Sequence, residues 1–256
     1  MGRQGEKVKG EKKRTGDRVL LRFAHNGLEI KIFYYIFLIR SIMENIAIYG
    51  AGGFGREIAC LIQAINKVKN QWNLIGFFDD NSSLKGTSNS YGAILGGIET
   101  LNTWNTPLSV VMAIGNPKIL ETVVGKIKNP ILKFPNIIAP DVLLLDQNDF
   151  SLGQGNLIGF SCVISCNVQL GNFNLFNTDV FVGHDTQIKD FNVFNPSVRI
   201  SGEVKIGNTN FFGVSSVVLQ QKKIGNHTTI ATNSVIIRNT SDKYTYIGNP
   251  AIKFKI

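Results

Sequence analysis

An apolar residue recurs at every sixth position through the second half of this chain, and this spacing restricts the fold more than any other feature. An α-helix cannot keep a period of six on one face, whereas a hexapeptide β-helix can, because each hexad forms one short strand and one corner. Three hexads close one triangular coil, so we expect five coils around an apolar core. All fifteen positions are apolar although only 43% of the chain is: Leu152, Ile158, Ile164, Leu170, Phe176, Val182, Ile188, Phe194, Ile200, Ile206, Phe212, Val218, Ile224, Ile230 and Ile236.

The residue that follows each apolar position is often small or turn-forming, which suits corners where the chain bends sharply. These residues are Gly153, Gly159, Ser165, Gly171, Asn177, Gly183, Asn195, Ser201, Gly207, Gly213, Gly225 and Ala231. Asparagine is also frequent, and we expect it at corners because it adopts the left-handed conformation more readily than most residues. The asparagines concerned are Asn156, Asn167, Asn172, Asn174, Asn192, Asn208, Asn210 and Asn226.

Residues 43–138 precede this array and predict a separate α/β domain. A short apolar strand, Ile46–Tyr49, leads into a G-x-G-x-x-G turn and then a helical segment, which is the arrangement of a dinucleotide-type phosphate loop. Two further apolar strands, Leu74–Phe78 and Val110–Ile114, end in polar residues. Ligands bind at the carboxyl ends of such strands, so we expect one crevice there. Its candidate residues are Gly50, Gly52, Gly53, Phe54, Gly55, Asp79, Asp80, Gly115 and Asn116.

Two interpretations of this crevice remain open. A complete dehydrogenase fold needs two mononucleotide-binding halves, and this domain has room for one, which favours a single nucleotide that carries a sugar. Alternatively, the glycines only make turns and the acids only cap neighbouring elements.

The first 42 residues differ from the rest. They hold ten of the 27 Lys and Arg residues, so the formal charge of +9 falls to +3 over residues 43–256 and gives little support for nucleic-acid binding. The apolar block Ile32–Ile39 is shorter than the roughly 20 residues of a membrane span. We interpret 1–42 as an upstream extension before a natural start at Met43; a membrane-proximal segment and a signal peptide are the alternatives.

The three cysteines, Cys60, Cys162 and Cys166, are too few and too irregular for a disulfide framework, which favours a reducing compartment. No His or Cys partner lies at zinc-finger spacing from Cys162 and Cys166, so no metal site is expected.

Several motifs occur in a familiar order: GAGGFGRE, FFDDN, AIGNP, VGHD, SGEVKIGN and a terminal YIGNPA. Over residues 44–256 the chain resembles the hexapeptide-repeat sugar acyltransferases of the sialic-acid O-acetyltransferase type, a group that includes bacterial nucleotide-aminosugar N-acetyltransferases. The resemblance implies an α/β Rossmann-like domain (43–138) that binds a nucleotide-linked sugar. It implies a left-handed parallel β-helix (139–256) that binds acetyl-CoA. With the flat faces of a β-helix prism, it also implies a homotrimer. The cysteine usage, charge and short apolar block given above add a cytoplasmic location with no metal, nucleic acid or membrane span.

The resemblance assigns roles to individual residues. His184 would be the general base that takes a proton from the attacking amine or hydroxyl, with Asp185 as its acid partner and Asn177 beside it; imidazole has a suitable pKa range. Gly202 would donate its N–H to the oxyanion. No G-x-S-x-G nucleophile turn occurs, which favours direct transfer. The remaining acetyl-CoA contacts would come from Gly213, Val214, Thr232, Asn249 and Pro250.

Three positions depart from the family pattern. Val193 stands where relatives often carry a second His, Phe54 stands where the glycine loop often has His, and Thr232 replaces the usual Gly of the last coil. The first two make an amino-sugar acceptor less certain. A β-helix protein with a dead site and a β-helix nucleotidyltransferase are the alternative functions, although the long basic G-rich signature of the latter is not found.

Overall fold

A computed structural model of the chain describes residues 43–254. The extension 1–42, with its apolar block and His25, lies outside the described residues. The elements from 44 to 133 form an α/β unit. They are strands β1 (Glu44–Tyr49), β2 (Trp72–Phe78), β3 (Ser88–Asn89), β4 (Gly92–Gly96), β5 (Leu108–Met112) and β6 (Leu132–Lys133), helices α1 (Gly53–Val68), α2 (Ile98–Asn102) and α3 (Pro117–Lys126), and a 3₁₀ turn at Ser82–Leu84.

The six strands form one sheet in the order β3-β4-β2-β1-β5-β6, parallel except for the β3–β4 hairpin. Alternate residues of β1 explain the two cores of this unit. Ile46 and Ile48 pack against α1, whereas Ala47 and Tyr49 belong to the cluster that holds α2 and α3. The three strands and the helix that the sequence predicts are therefore present; the first two strands are longer than predicted, and the third begins and ends two residues earlier, at Leu108–Met112.

The remaining strands build a parallel β-helix of three sheets. Sheet I contains β7 (Ile137–Ile138), β10 (Leu157–Ile158), β13 (Leu175–Phe176), β16 (Val193–Phe194), β19 (Phe211–Phe212), β22 (Thr229–Ile230), and the hairpin β24 (Thr245–Gly248) and β25 (Ala251–Phe254). Sheet II contains β8 (Leu143–Leu144), β11 (Val163–Ile164), β14 (Phe181–Val182), β17 (Arg199–Ile200), β20 (Val217–Val218) and β23 (Val235–Ile236). Sheet III contains β9 (Ser151–Leu152), β12 (Gln169–Leu170), β15 (Gln187–Ile188), β18 (Lys205–Ile206) and β21 (Lys223–Ile224).

The fifteen strands from β9 to β23 match the fifteen predicted hexads, and each predicted apolar residue is the second residue of its strand. These side chains fill the core; the rings of Phe176, Phe194 and Phe212 stack at 4.6 and 4.5 Å between centroids. The array also begins earlier than the pattern from Leu152 indicates, because β7 and β8 already pair with the next coil.

The prediction that the small residues make the bends was wrong. The chain adopts positive φ two positions later, for example at Asp185, which follows the inward Val182 by three residues. Small residues are required for a different reason: a Cβ on Gly183 would approach the backbone N of Gly202, in the coil above, to 2.6 Å. The close stacking of coils therefore selects them.

The asparagines do lie at corners, between the strands, but the predicted reason was wrong at seven of the eight positions, since only Asn167 among them has positive φ. Four buried asparagines instead form a ladder with a spacing of 18 residues, in which each side-chain oxygen accepts the backbone N–H of the corresponding residue in the next coil. They are Asn156, Asn174, Asn192 and Asn210, and Thr228 ends the ladder.

The outward surfaces of the three sheets differ. Sheet I is covered: its outward residues Leu157, Leu175 and Val193 are buried, and Leu157 packs in the α1 core. Sheet III carries exposed polar residues. Sheet II carries Val163, Phe181, Val217 and Val235 around one Arg199, and none of these apolar side chains is fully buried.

Candidate active site

His184 lies on the edge where sheet II turns into sheet III, called here the II–III edge. Its Nδ1 lies 2.7 Å from Oδ2 of Asp185, and both side chains are about half exposed. Oδ1 of Asp185 accepts a 2.7 Å hydrogen bond from Nδ2 of Asn167, one coil below. The hydrogen bond from His184, followed by that from Asn167, holds the pKa of Asp185 below its usual range. The carboxylate therefore stays ionised and fixes the imidazole with Nε2 free.

Gly202 lies one coil above, against the face of this imidazole. A Cβ on Gly202 would come within 2.5 Å of His184 Nε2, so only glycine fits without moving the ring. Within the described residues, the Gly202 N–H donates to no other backbone or side-chain atom. The sequence prediction thus brings His184, Asp185 and Gly202 together in one chain.

The other predicted acetyl-CoA residues lie elsewhere, on the edge where sheet I turns into sheet II, the I–II edge. Gly213 and Thr232 stack there in successive coils, with Val214 exposed beside them. The β24–β25 hairpin, with Asn249 and Pro250 at its tip, is joined to the same edge by a 3.0 Å hydrogen bond from Gly248 N to Ser234 Oγ.

Asn177 is also on the I–II edge, and its side-chain oxygen accepts the N–H of Thr178 at 2.8 Å. It forms no hydrogen bond with His184 or Asp185 among the described residues. Sheet II separates the two edges within one chain, so the predicted residues do not form one site there.

The glycine loop has two structural and two open positions. Gly50 has φ of +111°, and a Cβ there would lie 2.6 Å from the Ala113 carbonyl oxygen; a Cβ on Gly55 would collide with the Gly50 carbonyl. Gly52 and Gly53 face open space. Gly52 is the N-cap of α1 but offers no side-chain cap, and no acid lies in the first turn, so free N–H groups point outward.

The acids and the asparagine of the predicted crevice also hold the backbone. Asp79 accepts the N–H of Ala51 and of Asn81, each at 2.9 Å, and so ties the glycine loop to the end of β2. Asp80 accepts the N–H of Ile98 at 2.8 Å through Oδ1. Asn116, directly after Gly115, caps α3 by accepting the N–H of Lys118 and Ile119. Asp80 also lies beside the Tyr49 hydroxyl; burial first, and then this carboxylate, raise the pKa of Tyr49 above its usual value.

A cavity of about 220 Å³ lies between α1 and the I–II edge. Its lining includes Phe54, Glu57, Phe160 and Asn177. Phe54 therefore faces this cavity and the β-helix, which connects the glycine loop with the edge that carries the predicted acetyl-CoA residues.

Sequence reasoning missed Asn167. The spacing could have identified it: Asn167 precedes Asp185 by 18 residues, which is one coil, and so occupies the same corner one coil below. Val193, in contrast, is buried on sheet I, away from the II–III edge. Within residues 43–254, no three His, Cys, Asp or Glu side chains are grouped to hold a metal. No helix of this part of the chain is long and apolar enough to cross a bilayer.

Comparison with known proteins gives consistent results for both halves. Residues 45–127 match the family model of the PglD N-terminal domain. The acetyltransferase domain of PglB from Neisseria gonorrhoeae FA1090 is 26% identical to the chain and has a TM-score of 0.74; the match covers 82% of this chain and 100% of that domain. The same domain solved with acetyl coenzyme A matches with 23% identity, 83% and 100% coverage and a TM-score of 0.60.

Two other solved structures share the fold. WeeI from Acinetobacter baumannii AYE has 24% identity, covers 83% of this chain and 100% of its own, and gives a TM-score of 0.73. A variant of perosamine N-acetyltransferase from Caulobacter crescentus, solved with CoA and GDP-perosamine, has 19% identity, 84% and 99% coverage and a TM-score of 0.71. None of the curated protein sequences matches the chain. The solved structures confirm the predicted fold, a Rossmann-like domain followed by a left-handed β-helix.

Proposed function

We propose that the chain is a hexapeptide-repeat sugar acyltransferase of the nucleotide-aminosugar N-acetyltransferase group, which moves an acetyl group from acetyl-CoA to an amine or hydroxyl of a nucleotide-linked sugar. One observation carries the proposal. His184 has its Nδ1 engaged by an ionised carboxylate and its Nε2 free against a glycine backbone. That arrangement suits an imidazole that accepts a proton at Nε2.

His184 acts as the general base and Asp185 as its positioning acid. As the acceptor amine or hydroxyl attacks, its proton passes to His184 Nε2, and the negative charge of Asp185 stabilises the imidazolium that results. Asn167 holds Asp185 in place from the coil below. The Gly202 N–H has no internal partner, so it can donate to the carbonyl oxygen that gains negative charge.

Acetyl-CoA supplies the activated acetyl group. The I–II edge fits its extended arm, because small residues at Gly213 and neighbouring corners leave backbone exposed beside the apolar Val214. We assign Asn177, Thr232, Asn249 and Pro250 to the same binding surface.

The nucleotide-linked sugar binds at the carboxyl ends of β1, β2 and β5. The open Gly52 and Gly53 and the uncapped start of α1 suit phosphate, and the Asp80 carboxylate at the end of β2 suits a ribose hydroxyl. Gly50, Gly55, Asp79, Gly115 and Asn116 shape this crevice, and Phe54 leads from it toward the I–II edge.

A homotrimer completes the site. The two edges that carry the proposed residues flank sheet II, and sheet II is the outward face that remains apolar and uncovered; Phe181 is 37% exposed and Leu143 52%. If sheet II packs around a threefold axis, the II–III edge of one subunit meets the I–II edge of the next. His184 and the acetyl-CoA surface then come from different subunits.

We place the reaction in the cytoplasm, as a step of bacterial surface-glycan synthesis. The three cysteines are free, which agrees with a reducing compartment. The geometry around His184 serves an amine and a hydroxyl equally.

The test is CoA release from acetyl-CoA with a panel of UDP-, GDP- and dTDP-linked sugars that carry either an amine or only hydroxyls. CoA is followed by chromatography, since exposed Cys60 and Cys166 would react with thiol reagents. We expect turnover on one acceptor class and a loss of about 10²–10⁴-fold in His184→Ala. Gln187→Ala, an exposed change in the same coil, is the control. A folded wild-type protein without turnover on any acceptor would contradict the proposal and favour a dead site.

A further inference from the structure

Three basic side chains line a second cavity, of about 330 Å³, on the opposite side of the α/β unit from Phe54. They are Lys118 in the first turn of α3, and His227 and Lys243 on the edge where sheet III turns into sheet I, the III–I edge. The cavity thus joins residues of both halves of the chain.

The packing of α3 fixes this arrangement. Glu121 of α3 accepts a 3.2 Å hydrogen bond from Thr209 Oγ1, and Thr209 lies one coil below His227. Lys118 lies about one helical turn nearer the start of α3 and faces the same cavity as His227, one coil above Thr209. The helix therefore runs antiparallel to the stack of coils, with its N-terminus held beside His227.

These basic groups have one acid close by, Asp242, whose pKa is lowered mainly by hydrogen bonds from Asn226 and further by the charges of His227 and Lys243. Within the described residues, neither lysine forms an ion pair, and the His227 ring forms no hydrogen bond. The hydrogen bonds of the two nearby acids are made elsewhere: Asp242 accepts the N–H and the Nδ2 of Asn226, and Glu121 is bonded to Thr209. The cavity wall itself therefore holds three basic side chains and no acid, which suits an anion.

The sheet order places the predicted nucleotide crevice beside this cavity. Strands β2 and β4 lie on one side of β1 and β5 lies on the other, so the topological switch point is between β1 and β5. A nucleotide bound there lies between the start of α1 and the start of α3. Lys118 follows the crevice residue Asn116 by two positions.

We propose that Lys118, His227 and Lys243 bind the diphosphate of the nucleotide-linked sugar, as a basic wall opposite the glycine loop. This assignment rests on the proposed function for the identity of the ligand. The β-helix then takes part in substrate binding as well as in acetyl transfer, and it does so within the same subunit that supplies the glycine loop.

The test is calorimetric titration of the full chain with UDP, GDP and dTDP, the corresponding nucleosides, CoA and dephospho-CoA. Lys118→Gln and Lys243→Gln are each expected to weaken binding of the preferred nucleoside diphosphate about tenfold, equivalent to about 1.4 kcal/mol. Affinity for the nucleoside and for CoA should stay within about twofold of wild type. Lys205→Gln, an exposed lysine on sheet III, is the matched control.

The assignment would be overturned by unchanged affinity for the nucleoside diphosphate in both variants, or by an equal loss of affinity in Lys205→Gln. It would also be overturned if the variants lost affinity only for CoA and not for dephospho-CoA, because the ligand would then be the 3′-phosphate of CoA. Absence of nucleoside diphosphate binding by the wild type would also overturn it, whatever the acetyl-transfer assay shows. If diphosphate binding depends on the lysines but no acetyl transfer occurs, only the proposed reaction fails.

Discussion

The geometry of the proposed catalytic pair follows from its place within one hexad. Val182 points inward, His184 follows two residues later, and Asp185 occupies the corner position with φ of 57°. This left-handed corner turns the carboxylate back toward the imidazole and stacks it over Asn167, which occupies the same corner one coil below. Asp and Asn tolerate this conformation better than most residues, so the corner itself favours the residue types that the chemistry needs.

Gly202→Ala tests the fit between the imidazole and the coil above it. The added Cβ would lie 2.5 Å from His184 Nε2, so the ring must move away from the Gly202 N–H. We expect kcat to fall about 100-fold because misplacement of a catalytic group by about 1 Å has this order of effect. Gly125→Ala on α3, where a Cβ meets nothing within 4 Å, is the control. Equal kcat values for the two variants would mean that the ring does not depend on this contact.

At the scale of elements, the β-helix depends on polar ladders as much as on its apolar core. Asn192 is fully buried; its Oδ1 accepts from the N–H and the Nδ2 of Asn210, and its Nδ2 donates to Asn174 Oδ1. A second ladder, through Asn172, Asp190 and Asn208, lies nearer the surface and runs in the opposite sense, because each side-chain oxygen accepts the N–H of the residue one coil below. These bonds satisfy corner N–H groups that no strand pairs.

Asn192→Ala leaves the buried N–H and Nδ2 of Asn210, in the coil above, without the oxygen that accepts them. We expect the free energy of unfolding to fall by about 2–3 kcal/mol. Asn208→Ala removes the equivalent side chain from the partly exposed ladder, where water can replace it, so a loss below about 1 kcal/mol is expected. Denaturant unfolding measures both, and losses of equal size would show that burial of the ladder is not the cause.

The ion pair on sheet II predicts a pH dependence of stability. Arg199 and then Ser197 hold the pKa of Asp179 below its usual range through hydrogen bonds. Because the folded pKa lies below the unfolded value near 4, the ionised carboxylate stabilises the fold above that pH, and the effect is lost as the pH falls through the folded pKa.

Asp179→Asn should therefore melt about 1–3 °C below wild type at pH 7, a small effect because the pair is nearly half exposed, and the difference should vanish toward pH 3. A difference that persists at pH 3 would assign the effect to packing rather than charge.

At the scale of the whole molecule, each face of the prism has a separate use. Sheet I carries the α/β unit, sheet III faces solvent, and sheet II presents the apolar surface that we assign to the trimer. The two edges beside sheet II hold the proposed catalytic and acetyl-CoA residues, which one chain keeps apart.

Mixed trimers test whether the site is shared. His184→Ala removes the base from the II–III edge, and Val214→Arg blocks the I–II edge at an exposed position. Each variant alone should be inactive, but co-refolded mixtures should regain about a quarter of wild-type activity, because that share of the random interfaces combines two intact edges. Mixtures that stay inactive, although mass analysis shows mixed trimers, would contradict a shared site.

Much of this fold follows from sequence because its repeat is strict. The inward residues, the three faces and the β1–loop–α1 unit were predictable from hexad spacing and the glycine pattern. The corners were not, because the small residue at Gly183 is set by contact with Gly202 in the next coil, 19 residues away, and the asparagine ladder by bonds between coils. Asn177 was grouped with His184 by resemblance, but spacing alone puts them on different edges.

Helix α3 runs antiparallel to the coils along the III–I edge, and the two structures have nearly the same repeat distance. Three residues of a helix rise about 4.5 Å and one coil of the prism about 4.8 Å, so Lys118 and Glu121 meet successive coils at His227 and Thr209. A β-helix that gained or lost one whole coil below this contact would therefore need α3 to change by about three residues to keep the same contacts. Insertions or deletions in only one of the two would shift the nucleotide crevice along the β-helix relative to the corner that holds His184. This requirement restricts how such enzymes can change size during evolution.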